Sequence, residues 1–227
     1  MHQMSINIAV DGPAGAGKST IAKKLAEELG YIYVDTGAMY RAMALYVLEH
    51  DINLEDEAAV AAACPDINIR IAFEDGTQCV YLNGENVNGR IRTEQISGMA
   101  SKVSAQSAVR AHLLELQRSL ARSADVIMDG RDIGTHVLPD AQVKIFLTAS
   151  VEVRAERRYK EYLEKGQPAV LEEIEKEIRE RDERDMNREI APLKQAEDAV
   201  LVDTSSMDIS QVVACIRQII IEKTEQL

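Results

Sequence analysis

The stretch Gly12-Pro13-Ala14-Gly15-Ala16-Gly17-Lys18-Ser19 decides the fold class of this chain of 227 residues. It matches the pattern GxxxxGK(S/T), whose glycines let the backbone bend around phosphate oxygens and direct N–H groups and a helix N-terminus towards them. This pattern needs a strand before it and a helix after it. Ile6 to Val10 form a short β-leaning run, and apolar residues recur at helical spacing from Ile21 to Leu29. The sequence therefore predicts a phosphate-binding loop (P-loop) rather than a helix entry that matches by chance.

Each part of the P-loop has an expected role towards ATP. Lys18 would reach the β and γ phosphates as a point charge, and the Ser19 hydroxyl would complete the shell of a Mg²⁺ ion that otherwise keeps mostly water. An apolar strand from Val126 ends in Asp129-Gly130, which would place a carboxylate near that metal, although an ordinary Asp-Gly turn is the alternative. The residues expected to bind the nucleotide phosphates are Gly12, Pro13, Ala14, Gly15, Ala16, Gly17, Lys18, Ser19 and Thr20.

Strand and helix patterns alternate along most of the chain. Tyr31–Val34 predicts a second strand that ends at Asp35-Thr36-Gly37, and helical spacing follows it. Val126–Met128 and Val143–Leu147 predict two buried strands, and Ala199–Val202 predicts a last strand before a final amphipathic helix. This βα alternation predicts an α/β fold with a parallel sheet.

Between about Asp66 and Arg92 the period changes. Ile67, Ile69, Ile71 and Phe73 alternate with polar residues, and a second short run, Val80–Leu82, is followed by the turn Asn83-Gly84. The pattern predicts a small antiparallel hairpin inserted into the α/β chain. We expect residues 65–97 to form this inserted subdomain and residues 1–64 and 98–227 to form the core, with a lid at about 151–168.

Two further regions have helical patterns. Helical spacing returns from Ser97 to Arg122, and the stretch from Glu172 to Glu189 carries charges at most positions. The second region predicts a solvated helix that Pro192 stops.

Composition excludes several classes of function. The formal net charge is -12 and the pI is near 4.9, which disfavours a nucleic-acid surface because each phosphate contact needs a nearby Lys or Arg. No window approaches the roughly 20 apolar residues that cross a bilayer, and Met1 to Met4 do not open an export signal. The three cysteines, Cys64, Cys79 and Cys215, lie far apart and are expected to be reduced thiols. We expect a cytoplasmic monomer without a nucleic-acid or membrane partner.

Three arginines are candidates for binding an anion. Arg41, Arg110 and Arg131 each follow an element that a doubly wound sheet brings towards the carboxyl ends of its strands, where ligands bind. Arg makes planar bidentate contacts to phosphate, so such a cluster in an acidic protein favours a site. Solvated arginines on separate faces are the alternative.

The charged helices supply more candidates. Arg181, Asp185 and Arg188 share one helix face, where they present donors and acceptors to a ligand or simply pair with one another. Arg154, with Arg157 and Arg158, opens the helix that precedes a Gly166-containing loop, the predicted mobile lid. Lid arginines would neutralise a transferring phosphoryl group, and a solvated helix face is the alternative.

A P-loop shows only that nucleotide phosphates bind, since motors, transporters, GTPases and kinases share it. Together with Asp11–Ser19 and Val143–Leu147, three further stretches carry a resemblance of the chain to the bacterial cytidylate kinases, of the nucleoside monophosphate kinase group, from Ile8 to about Ile209, and the first two of the three are far more specific than the P-loop. These stretches are Asp35-Thr36-Gly37-Ala38-Met39-Tyr40-Arg41, Asp129-Gly130-Arg131-Asp132-Ile133-Gly134 and Arg181-Asp182-Glu183-Arg184-Asp185.

The resemblance implies a three-layer P-loop kinase core with a parallel sheet, a short lid and a monophosphate-binding region enlarged by the β insertion. It implies transfer of the γ-phosphoryl group of ATP to CMP or dCMP with Mg²⁺, in pyrimidine nucleotide metabolism. The catalytic residues would be Lys18, Asp129, Arg131, Arg154 and Arg158.

The resemblance also implies an acceptor site. Thr36, Arg41 and Arg131 would surround the acceptor phosphate, and Arg181 and Asp185 would lie near the phosphate and sugar. Many relatives have Ser at the position of Thr36, so the hydroxyl is kept and a methyl group is added. The residues implied near the cytosine are Ser101, Arg110, Asp132 and Arg188, and Tyr40 belongs to the same expected set.

Two other functions stay open from the residues alone. One is a P-loop kinase for another nucleoside monophosphate or a metabolite hydroxyl. The other is a nucleotide-dependent switch or ATPase that acts through a partner, although the sequence lacks a guanine-specificity motif of the NKxD type. A panel of acceptors separates these functions.

Overall fold

The computed structural model describes residues 5–74 and 76–225, and these fold as two compact units. The first unit joins the described residues up to Tyr33 to those from Ser123 onwards, and the second unit runs from Val34 to Arg122. The prediction about an export signal at Met1 to Met4 lies outside the described residues. None of the helices within these ranges is long and apolar enough to span a membrane.

Strands and helices alternate through most of the described residues, as predicted. In chain order they are β1 (Asn7–Asp11), α1 (Lys18–Leu29), β2 (Ile32–Asp35), α2 (Thr36–Glu49), α3 (Glu57–Ala63), β3 (Ile69–Glu74), β4 (Thr77–Leu82), β5 (Glu85–Asn86), α4 (Glu94–Val103), α5 (Ser107–Ser123), β6 (Val126–Gly130), β7 (Val143–Thr148), α6 (Val151–Glu164), α7 (Leu171–Asn187), β8 (Val200–Asp203) and α8 (Ile209–Thr224).

The predicted parallel sheet is confirmed. Its strand order is β2-β6-β1-β7-β8, so β1 lies at the centre. Strand β1 pairs in parallel with β6 and β7, and the register places Val10 beside Asp129 and Asp11 beside Gly130. The apolar side chains of β1, β6 and β7, such as Ile8, Ile127 and Ile145, are buried except Phe146, which is partly buried. The loops that follow these strands therefore start from a rigid, fully packed platform.

Helices α1 and α8 pack against this sheet. Ile21 and Leu25 of α1 and Ile216 of α8 belong to the same core cluster as Ile8 and Ile145. Helices α6 and α7 form a smaller cluster of their own through Ala155, Ile174 and Ile178. The α/β class is thus confirmed.

Helix α7 differs from the solvated helix expected between Glu172 and Glu189. One face buries Ile174, Ile178, Asp182 and Asp185, so only the other faces are solvated. The helix ends at Asn187, before Pro192 takes effect, because Arg188 adopts an extended backbone and the Leu193 N–H donates to the Asp185 carbonyl. The buried carboxylates are the first sign that this helix has a role beyond solubility, since charged groups are rarely buried without a partner.

The second unit holds the predicted antiparallel insertion as a sheet of order β3-β4-β5. The turn Asn83-Gly84 has φ values of 48° and 90°, the left-handed pair of a two-residue hairpin turn, but it joins β4 to β5. Strand β3 pairs with β4 from Ile69 opposite Leu82 to Glu74 opposite Thr77. A strand as short as β5 carries too few residues for an alternating pattern, so the sequence predicts one hairpin where the structure has three strands.

The helical region expected from Ser97 to Arg122 is two helices, α4 and α5. Ser104 ends α4, and its carbonyl accepts a hydrogen bond from the Arg110 Nη1 at 3.1 Å. The Gln106 side chain donates to the Leu54 carbonyl at 2.9 Å. These polar contacts stabilise the turn between α4 and α5, which the spacing of apolar residues does not reveal. The domain boundaries expected at 65–97 and the lid at 151–168 stay predictions.

Candidate active site after the parallel strands

The P-loop has the backbone conformation that its glycines predict. Gly15 and Gly17 have φ values of 76° and 89°, and Gly17 caps α1 without a side-chain hydrogen bond. Gly12 has a φ of 148°, and a Cβ there would lie 1.9 Å from the Leu147 carbonyl oxygen. The loop therefore crosses β7 at a distance that only glycine permits, and it presents the N-terminus of α1.

Gly12→Ala is expected to destabilise the protein by about 3 kcal/mol, because the methyl group meets backbone that cannot move and the φ is strained. Gly98→Ala is the matched control. Gly98 is exposed within α4 and has open space around it, so Ala there should stabilise by about 0.5–1 kcal/mol. Chemical denaturation of both variants measures the two changes; equal effects of the same sign would contradict the proposed close crossing.

Lys18, Ser19 and Asp129 lie together at the mouth of the P-loop. The Ser19 Oγ donates to Asp129 Oδ2 at 2.7 Å, and the Tyr33 hydroxyl donates to Asp129 Oδ1 at 3.1 Å. Lys18 Nζ donates to the Pro13 carbonyl at 2.7 Å. Burial, and then the charge of Arg131, holds the pKa of the Lys18 ammonium well below its usual value. The carboxylate of Asp129 therefore faces the P-loop hydroxyl rather than forming only an Asp-Gly turn.

These oxygens fit a magnesium ion. Mg²⁺ prefers hard oxygen ligands. Nucleotide-binding sites usually hold it with one or two protein oxygens, and water and phosphate complete the shell. Ser19 and Asp129 supply a hydroxyl and a carboxylate that already touch. Within residues 5–74 and 76–225 no group of three or more His, Cys, Asp or Glu side chains forms a metal cage, and a magnesium ion shared with phosphates does not need one.

Asp11 is a buried carboxylate at the end of β1, directly before the P-loop. Its two oxygens accept the backbone N–H groups of Ile133 and Gly134 at 2.8 and 2.7 Å. Burial raises its pKa from 3.8 to about 6; the hydrogen bonds from Gly134 and Ile133 and the Lys18 charge lower the pKa, and Asp132 raises it. Motif patterns alone indicate no role for Asp11, although a charged residue at the end of an apolar strand is a signal.

This pKa predicts a pH dependence of stability. The folded pKa exceeds the unfolded value, so the contribution of Asp11 is greatest below about pH 4 and is lost as the pH rises through about 6. Asn does not titrate. The unfolding free energy of the wild type minus that of Asp11→Asn should therefore fall by roughly 3 kcal/mol between pH 4 and pH 7. Urea denaturation across this range measures the difference, and a flat or rising difference would show that burial does not raise the pKa.

Helix α7 reaches the loop after β6 through ion pairs. Arg131 Nε donates to Asp185 Oδ2 at 2.9 Å, and Arg188 Nη2 donates to Asp132 Oδ1 at 3.2 Å. Asp185 and Arg188 thus pair with the loop rather than within their own helix. Arg181 lies one helical turn before Asp185, and its charge is among those that lower the pKa of Lys18. Arg131, Asp132, Asp185 and Arg188 are thereby brought together in the first unit.

The predicted lid arginines have different surroundings. Arg154 is only 3 % exposed; its Nη1 donates to the Ala14 carbonyl at 2.9 Å and its Nη2 to Asp182 Oδ2 at 2.6 Å. Arg157 donates to the Thr204 carbonyl at 2.8 Å, and Arg158 Nε to the Tyr162 hydroxyl at 3.1 Å. Arg154 is therefore not on a solvated helix face. It links α6 to the P-loop and to Asp182, a residue for which the sequence indicates no individual role.

The second unit holds the other candidates. Asp35 caps α2 by accepting the Ala38 N–H, and its Oδ2 lies 2.8 Å from Arg41 Nη2 and 3.5 Å from Arg92 Nη2. Thr36 is the first residue of α2 and is buried. Arg92 had no assigned role in the sequence, and its proximity to Arg41 could be found only from the fold.

Tyr40 and Arg110 form a second contact within this unit. The Arg110 guanidinium carbon lies 5.7 Å from the centre of the Tyr40 ring, and Arg110 is buried. Ser101 lies on α4, and its backbone carbonyl accepts a hydrogen bond from the Ser104 hydroxyl at 2.9 Å. The second unit thus holds two groups of expected site residues, Arg41 beside Asp35 and Arg110 beside Tyr40.

Comparison with known proteins adds a family to this geometry. The family model for cytidylate kinase matches residues 8–222. Cytidylate kinases of Carboxydothermus hydrogenoformans and Shouchella clausii are 50% and 49% identical, over 98% and 97% of this chain and 100% and 98% of theirs. A cytidylate kinase of Caldicellulosiruptor bescii is 51% identical over 91% of this chain and 92% of its own.

A solved structure supports the fold alone. The crystal structure of an uncharacterized protein from Eubacterium ventriosum aligns with a TM-score of 0.52 at 13% identity, covering 94% of this chain and 97% of the other. The match of the family model over residues 8–222 and the full-length relatives show that this chain belongs to the cytidylate kinase family.

Proposed function

We propose that this chain transfers the γ-phosphoryl group of ATP to CMP or dCMP, giving ADP and CDP or dCDP, in pyrimidine nucleotide metabolism. The observation that carries the proposal is the group at the P-loop mouth. Ser19 touches Asp129, and Arg131, two residues further on, is held by Asp185. A phosphate-binding backbone, oxygen ligands and a positioned guanidinium are the parts that phosphoryl transfer uses.

The reaction needs alignment and charge neutralisation more than covalent chemistry. The acceptor phosphate is already anionic at neutral pH, so it attacks in line without a strong general base. Lys18 and Arg131 neutralise the charge of the phosphoryl group. Asp129 and Asp132 orient water, metal or the acceptor base rather than abstract a proton. Ser19 and Asp129 would hold Mg²⁺, which would supply further charge neutralisation when bound.

The acceptor is held by residues that each unit arranges internally. We assign Thr36, Arg41 and Arg131 to the acceptor phosphate, and the pairing of Arg41 with Asp35 supports this because it fixes the guanidinium. Arg181 and Asp185 are assigned to the phosphate and sugar. The residues assigned to the cytosine are Ser101, Arg110, Asp132 and Arg188, with Tyr40 packed beside Arg110.

The lid arginines have separate roles in this proposal. Arg158 meets the phosphoryl group when the lid closes, and exclusion of water prevents hydrolysis in place of transfer. Arg154 stays in its observed position, where its guanidinium donates to the Ala14 carbonyl of the P-loop. The enzyme is proposed to work as a cytoplasmic monomer without a nucleic-acid partner.

The test is ADP release from ATP and Mg²⁺ with CMP, dCMP, UMP, AMP, GMP and no acceptor. We expect turnover to depend on CMP or dCMP. Preference for a purine would overturn the cytosine assignment, and turnover without any acceptor would favour an ATPase or switch. The ratio of CMP to dCMP turnover tests the effect of Thr36 on sugar selectivity.

A further inference from the structure

The carboxylate of Asp11 connects the P-loop to the segment that follows β6. Asp11 is 4 % exposed and directly precedes Gly12 of the P-loop. Its oxygens accept N–H groups from Ile133 and Gly134, residues 122 and 123 positions away along the chain. These two residues follow Arg131 and Asp132 immediately.

Backbone pairing alone does not fix this loop. The ladder between β1 and β6 ends where Asp11 lies beside Gly130, so residues 131–134 extend beyond the last strand pair. A π-helical turn, Ile133–Val137, begins directly after Asp132, whose carbonyl accepts the His136 and Val137 N–H groups. The Asp11 side chain therefore continues the connection between the strands at the point where the ladder stops.

Two consecutive N–H groups directed at one carboxylate define both the position and the orientation of the turn. Asn offers one acceptor oxygen, and its NH₂ group would face the second N–H. Only an ionised carboxylate satisfies both donors.

Gly134 completes this clamp, which comprises Asp11, Ile133 and Gly134. A Cβ on Gly134 would lie 3.1 Å from Lys144 Cδ and 3.4 Å from Asp11 Oδ2. Lys144 is itself held by Asp198 at 2.7 Å and by the Pro139 carbonyl. The turn is thus confined between the Lys144 stem on one side and the carboxylate on the other.

We propose that Asp11 is a positioning residue: it sets Arg131 and Asp132 relative to the P-loop and so controls phosphoryl transfer and acceptor binding without touching either substrate. The inference rests on the proposed function. Burying an ionised carboxylate costs stability, as the raised pKa of Asp11 indicates, and such costs persist at sites where geometry matters for activity.

The experiment compares Asp11→Asn with the wild type in steady-state kinetics and in binding of a non-hydrolysable ATP analogue. We expect kcat to fall by about 10²-fold, because misplacement by about 1 Å has that cost, and KM for CMP to rise. The dissociation constant of the ATP analogue should change by less than about 3-fold, since Gly12 crossing β7 and the start of α1 hold the P-loop independently. Loss of analogue binding equal to the loss of kcat would overturn the proposal.

Asp125→Asn is the matched control. Asp125 Oδ1 accepts the Ile6 N–H at 2.7 Å at the amino ends of the same two strands, far from the P-loop. We expect its kcat within about 2-fold of the wild type. An equal loss of kcat in both variants would assign Asp11 a general role in sheet stability and overturn the proposal.

A double-mutant cycle separates positioning from destabilisation. If Asp11 acts through Arg131, Asp11→Asn should cost several-fold less in an Arg131→Lys background than in the wild type. Equal losses in the two backgrounds would overturn the proposal. Gly134→Ala perturbs the clamp from the side of the turn and should also lower kcat. If both Gly134→Ala and Asp11→Asn kept the kcat of the wild type, the proposal would be overturned.

The assays also distinguish this inference from the proposed function. The acceptor panel on the wild type decides the reaction and the acceptor. The Asp11 comparison is then made with whichever acceptor gives turnover. A different acceptor would therefore overturn the cytosine assignment, while the Asp11 variants would still test the positioning role separately.

Discussion

Lys18→Met is expected to lower kcat by about 10³-fold while the protein stays folded. Lys18 is buried at the mouth of the P-loop, and its ammonium is the one group of that loop that brings a full positive charge to the transferring phosphoryl group. Met has a similar length and no charge. Removing one preorganised donor to developing charge typically costs 10²–10³ in rate, and a full charge belongs at the upper end.

Stability should change little in this variant. The Pro13 carbonyl loses its donor, at a cost of about 1 kcal/mol, while removal of the buried cation relieves repulsion from Arg131 and Arg181 and ends its attraction to Asp129 and Asp11. Lys24→Met, on an exposed position of the same helix, is the control and should keep kcat within about 2-fold. Near-normal turnover of folded Lys18→Met would rule out the proposed charge neutralisation.

The local elements of the fold could be predicted because their signals are local. The P-loop glycines need positive φ values, and the apolar runs of β1, β6 and β7 are typical of parallel strands buried on both faces. The same signals miss β5, which is too short for a pattern, and the break between α4 and α5, which polar contacts hold. Helix α7 was expected to be solvated because its charges hide the buried face of Asp182 and Asp185.

The candidate site could be predicted as a set of residues but not as a set of contacts. Motif spacing singled out Lys18, Ser19, Asp129 and Arg131, and each lies in the cluster described above. Contact partners depend on residues that are far apart in the chain, such as Asp11 with Gly134. Arg154 shows the consequence, because the sequence predicts a lid arginine, with a solvated helix face as the alternative, while the fold places its guanidinium on the Ala14 carbonyl and Asp182.

Arg131→Lys is expected to lower kcat by about 10²-fold although it keeps the positive charge. Arg131 has two of its donor nitrogens committed, with Nε on Asp185 at 2.9 Å and Nη1 on the Gly130 carbonyl at 3.3 Å. This arrangement fixes the plane of the fork and directs it, so the remaining donors meet phosphate oxygens at a set angle. A Lys ammonium is a point charge that cannot hold Asp185 and a phosphate oxygen in the same geometry.

Asp185→Asn tests the same arrangement from its other end. It leaves the fork intact but weakens what orients it, so we expect a smaller loss of kcat than in Arg131→Lys and a combined loss in the double variant below the product of the two. Arg179→Lys is the control, because Arg179 pairs with Glu152 at 2.7 Å where both side chains are more than half exposed, and exposed pairs contribute little. Full activity of Arg131→Lys would mean that Arg131 only neutralises Asp185. Multiplicative losses in the double variant would mean that the two residues act separately, and the ion pair would then be a structural contact rather than the device that aims the guanidinium.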